Sequence, residues 1–170
     1  MPCARTLRYR GAMKLPLEGG CRCDRIRIRV THAPMMTMAC HCNGCQRMSS
    51  SAFSLTAIFA ANAFEVTKGE PVIGGLHGAE AHHFFCAYCM TWMFTRPVAL
   101  DQIVNVRPTM FDDHAWFAPF VESFTKARLP WAKTGAVHAF EEFPPLEAYE
   151  PLMHEFASSS WLEKATRPQG

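Results

Sequence analysis

No stretch of this chain approaches the roughly 18 consecutive apolar residues that a membrane-spanning helix needs, although 49% of its residues are hydrophobic. Nor does a continuous apolar segment follow the arginines of the opening MPCARTLRYRGAMKLPLEGG, so a secretory leader is not expected. Charge of one sign is scarce. Seventeen Lys and Arg against fifteen Asp and Glu leave a formal net charge of +2, which gives little pull toward nucleic acid or a membrane surface. No internal repeat, low-complexity tract or second domain boundary breaks the chain. These absences leave 170 residues that suit one domain with a real core, expected in the cytoplasm.

Cysteine is clustered. Seven of the eight fall in three tight groups: Cys21 and Cys23, then Cys40, Cys42 and Cys45 in ACHCNGCQR, then Cys86 and Cys89. In a reducing compartment such clusters are more often metal ligands than disulfides, and thiolate is a soft ligand suited to zinc. Cys3 stands apart near a terminus expected to be mobile and is read as an unligated thiol.

Alternation supplies most of the structural signal. Arg25 to Val30 reads RIRIRV, a half-buried strand with Ile26, Ile28 and Val30 inward and three arginines outward. Further strands are expected at 52–60, at 64–67 with a Lys68-Gly69 turn after it, at 71–73, at 82–85 and 91–98 on either side of the last cysteine pair, and at 103–106. From Phe111 on, prolines at 119, 130, 144, 145 and 151 interrupt every candidate element. A short helix at 151–158 is the exception, with proline at its start and Leu152, Met153 and Phe156 on one side.

The spacings suggest two metal sites of different kinds. Residues two apart on an extended strand face the same way, so Cys21 and Cys23 can aim both sulfurs at one ion, with Gly19-Gly20 allowing close backbone approach. Cys86 and Cys89 have the spacing of a zinc knuckle. The two pairs together complete a four-thiolate structural zinc site, with disulfides or buried thiols as the competing readings. The triplet brings three sulfurs within six residues and includes Gly44, able to take the positive φ of a knuckle turn. Three protein ligands with a vacant fourth position is the arrangement of a catalytic zinc. His41, lying between two of the cysteines, is the alternative fourth ligand.

The succession GGCRCDRIRIRV, CHCNGCQRMSSSAF, FFCAYCMTWMF, then PWAK and EEFPP, resembles the glutathione-dependent formaldehyde-activating enzyme family, which includes the centromere protein V group. The resemblance spans roughly 15–145, leaving an N-terminal extension at 1–14 and a tail at 146–170. It implies a mainly β, tent-like zinc-binding fold with a proline-rich, partly helical tail. It also implies two zincs: a structural one on Cys21, Cys23, Cys86 and Cys89, and a catalytic one on Cys40, Cys42 and Cys45. The implied activity is that of a carbon-sulfur lyase joining the thiol of glutathione to formaldehyde. Two positions depart from the family pattern, Met90 and Ser50 standing where glycine is usual.

Other readings keep the same residues. Both zincs could be structural in a glutathione carrier or protein-binding module. A reductase of the methionine sulfoxide type needs a reactive cysteine apart from the metal, and only Cys3 is spare. Arg47, two positions after Cys45, is the candidate for a glutathione carboxylate; Arg25, Arg27 and Arg29 read as a solvated face. Asp112-Asp113-His114 reads as a surface turn, His82-His83 as core or surface histidines, and Met35, Met36 and Met38 as packing.

Overall fold

The computed structural model describes residues 13–76 and 78–159, so Cys3 and most of the expected N-terminal extension lie outside the described residues. The chain is mainly β. In order come β1 (Leu17–Gly20), β2 (Arg27–Val30), β3 (Met36–Cys40), α1 (Asn43–Ser49), β4 (Ser54–Ala60), β5 (Phe64–Lys68), β6 (Pro71–Gly74), β7 (Ala81–Cys86), β8 (Trp92–Pro97), β9 (Ile103–Val106), β10 (Val121–Ser123), β11 (His138–Ala139) and α2 (Tyr149–Ser158). They form a three-stranded sheet, β1-β2-β5, and an eight-stranded sheet, β11-β10-β3-β4-β9-β8-β7-β6.

The alternation read in RIRIRV decides how the sheets meet. Ile26, Ile28 and Val30 are buried against Phe64 of β5 and against Ala57, Phe59, Phe94, Val104 and Val106 of the larger sheet, forming the main core. The outward arginines pair with carboxylates of their own neighbourhood, Arg27 with Asp24 and Asp112, Arg29 with Glu18 and Glu65. Asp112 thereby serves the fold, and the exposed 112–114 stretch is a bend and loop that leads into a turn at 115–116.

A second, smaller core lies on the other face of the large sheet, where Met36, Met38 and Ile58 meet Phe120, Val121, and Leu152 and Phe156 of α2. The methionines on β3 are therefore packing residues. Helix α2 begins at Tyr149, two residues before the expected start, and Pro151 is accommodated in the first turn, where a backbone N–H has no intrahelical acceptor to lose.

Three local expectations are corrected. Cys21 and Cys23 do not lie on a strand: β1 ends at Gly20 and β2 begins at Arg27, and the intervening turn passes through Asp24 at φ 60°. It is held by Cys21 N–H to Ile26 O at 3.0 Å and Asp24 N–H to Cys21 O at 2.9 Å. Gly44 takes no positive φ, because residues 43–49 are helical. Strands β1, β3, β10 and β11 were not anticipated; β10 and β11 are three and two residues long and pair in parallel, which leaves no alternation to read.

Candidate metal centres

Cys21 and Cys23 on the β1–β2 turn meet Cys86 at the end of β7 and Cys89 in the turn after it, with all four sulfurs within 4.8 Å of one another. Cys21 to Cys23 is 3.5 Å and Cys23 to Cys86 is 3.7 Å. A tetrahedral ion with bonds of about 2.3 Å to sulfur sets its ligands about 3.8 Å apart, so the four thiols are at the spacing a metal would require. Backbone and hydroxyl donors complete the cage: Ile26 N–H points at Cys21 Sγ at 3.4 Å, and Cys89 Sγ lies 3.1 Å from Thr91 Oγ1. The Cys86 turn closes through Met90 N–H to Cys86 O at 3.0 Å, with Met90 itself at φ 55°.

Cys40 ends β3, Cys42 precedes α1 and Cys45 lies in its first turn, and their three sulfurs also fall within 4.8 Å of one another. Cys42 caps the helix, its Sγ accepting from Cys45 N–H at 3.3 Å. Gln46 fixes the loop from the other side, donating from Nε2 to the carbonyls of His41 at 2.7 Å and Ala127 at 2.9 Å. Hydrogen bonding from Cys45 draws the Cys40 thiol down to about 5 against the opposing effect of burial. The same contact, with burial, pushes Cys45 far above the ordinary thiol range. Three sulfurs this close cannot all ionise side by side; a bound dication removes that conflict, and the donor set fits one.

His41 does not join the triplet. Its ring is fully buried, packs edge-on to Phe53 at 5.3 Å, and presents Nε2 to Glu122 at 3.8 Å. Among the described residues the group contains no histidine or carboxylate. Arg47 is exposed on α1.

The arginine that the sequence reading overlooked is Arg107, just beyond β9 and only 8% exposed. Burial pulls its pKa down to about 10, and negative charge on the Cys45 and Cys40 sulfurs would act in the opposite sense. Its only sequence signal is the alternation of 103–106 carried one residue further, and that is mute without knowing that β9 lies beside β4.

A family model described as glutathione-dependent formaldehyde-activating enzyme matches residues 16–127. Among solved structures, the crystal structure of a Rhodobacter sphaeroides protein is similar, with 16% sequence identity, a TM-score of 0.48, and coverage of 72% of this chain and 98% of that one. No curated protein gives a significant match.

Proposed function

The chain belongs to the glutathione-dependent formaldehyde-activating enzyme family, and from that premise we propose that it is a zinc-dependent carbon-sulfur lyase that joins the thiol of glutathione to formaldehyde. Cys21, Cys23, Cys86 and Cys89 would hold a structural zinc in this reading, and Cys40, Cys42 and Cys45 would hold a second zinc that leaves room for an incoming thiol. The observation that carries it is the contrast between the groups: one offers four sulfurs, the other three with no further histidine, cysteine or carboxylate joining them among the described residues. Zinc at such a site supplies ionisation of a thiol whose free pKa is about 8.5.

In the reaction the sulfur forms a bond to the formaldehyde carbon, the carbon–oxygen π bond opens, and the proton given up by the thiol ends on oxygen. No oxidant or reductant is needed. Because formaldehyde reacts with thiols unaided, the chain has to position the sulfur and keep it ionised. Cys40 is set by the β3–β4 pairing opposite Ser54, Cys42 by its capping bond, and Cys45 by the first turn of α1.

Cys42→Ser tests the site cleanly, because serine is itself a good helix cap and the fold loses little. The expected result is one metal per chain where the parent holds two, with glutathione binding lost. Undiminished glutathione binding in that variant would refute the role given to the triplet. Product formation from glutathione and formaldehyde above the spontaneous rate then separates an enzyme from a glutathione carrier.

A further inference from the structure

Val104 and Val106 of β9 are fully buried in the main core, so strand alternation turns Asn105 and Arg107 to the opposite face of the large sheet. That face also carries Met36 and Met38 of β3 and Ile58 of β4, and by the same alternation Cys40 and its register partner Ser54. Arg107 is held there firmly. Its N–H donates to Met93 O at 2.9 Å, its guanidinium donates to Asn105 O at 3.3 Å, and the guanidinium carbon sits 4.1 Å from the centre of the Trp92 ring.

Among the described residues the guanidinium has no carboxylate partner. The arginine ion pairs among the described residues are those of Arg27, Arg29 and Arg128, and the buried Nε of Arg107 has no hydrogen-bond partner there. Asn105 Oδ1 is likewise buried without a partner among the described residues, and the buried Ser54 hydroxyl lies against the Cys45 thiol. An arginine does not shed its proton in a protein, and a buried cation without a counter-charge is costly. The groups that can become negative on this face are Cys40 and Cys45: β9 lies beside β4 with Val106 opposite Ala57, and β4 lies beside β3 with Ser54 opposite Cys40, so Arg107 leaves β9 on the strand next to Ser54 and toward the Cys40 end of β3.

We propose that Arg107 is the built-in counter-charge of the three-sulfur site, stabilising it when a divalent metal is bound and biasing the vacant position toward an anionic sulfur ligand over a neutral one. The inference rests on the reading of Cys40, Cys42 and Cys45 as metal ligands. Three thiolates around a dication carry one net negative charge, and a fourth thiolate raises it to two; a fixed cation beside them offsets part of that charge in surroundings that screen it poorly. Arg107 acts here as a positioning residue, through the ligands and without touching the substrate.

The test compares the parent with Arg107→Met and Arg107→Lys, using cobalt(II) in place of zinc, chelator competition for the affinity of each site, and the sulfur-to-cobalt absorption band as the readout. Arg107→Met is expected to weaken the second metal by about ten- to a hundredfold and leave the four-cysteine metal unchanged. Arg107→Lys should retain most of the affinity. In the same series, glutathione should lose more affinity than imidazole, a neutral competitor for the open position. If Arg107→Met does not fold, Arg107→Gln against Arg107→Lys reads the same dependence on charge. Equal second-site affinity in the charged and neutral variants overturns the proposal, as does equal loss at both metal sites. A parent protein that takes up only one metal instead sinks the reading of the triplet itself, a result distinct from either.

Discussion

At the scale of single residues, the two departures from the family's glycines are instructive. Ser50 closes α1 at φ 48°, ψ 41°, with its N–H on Gln46 O, and Met90 turns the Cys86–Cys89 knuckle at φ 55°. Both positions therefore keep the left-handed conformation that glycine adopts freely, and both side chains are carried at a steric cost of about 1 kcal/mol each. The knuckle turn forms with methionine in place. Ser50→Gly is expected to raise stability by about 0.5–1 kcal/mol, seen as a higher denaturation midpoint with unchanged slope. No gain, or a loss, would mean that Ser50 makes a contact worth more than the relieved strain.

At the scale of elements, β3 and β10 frame the site. Strand β10 pairs in parallel with β3, aligning Ser123 with Cys40, and carries buried Glu122. Burial alone would raise the Glu122 pKa, but the Thr134 hydroxyl and N–H, Arg128 and the nearby His41 outweigh it and hold the carboxyl below its usual range. A carboxyl held low in the folded state adds stability that is present above its ordinary pKa of about 4.3 and is lost as pH falls through the lower folded value. Glu122→Gln should therefore be less stable than the parent at neutral pH, with the gap closing on acidification below pH ~4; a gap constant across pH would contradict the role of the charge. Legibility at this scale followed alternation more than length. Strands β2 and β9, four residues each with alternating burial, were readable, whereas β3, five residues long and buried at four successive positions, was not, and α1 was hidden because its seven residues include no buried apolar position.

At the scale of the whole molecule, the four-cysteine group fastens distant parts of the chain, bringing Cys23 and Cys86 to 3.7 Å across 63 residues. A closed structural zinc contributes on the order of ten kcal/mol to folding in small metallodomains. Strong chelation should accordingly lower the melting temperature steeply, and Cys86→Ser should destabilise far more than Cys42→Ser, since the triplet is local to one loop. Equal melting with and without chelator would exclude the structural role.

The sequence by itself determined the cysteine groups, the inward face of RIRIRV and the mainly β character, because clustering and short-period alternation are local properties of a chain. Only the tertiary structure decided that His41 turns away to Glu122, that Arg27 and Arg29 are occupied by carboxylates, and that Arg107, more than sixty positions from the triplet, comes to the sheet face that carries Cys40. Those outcomes follow from which strands pair, β9 with β4 and β4 with β3, and strand pairing is set by burial of side chains far apart in sequence.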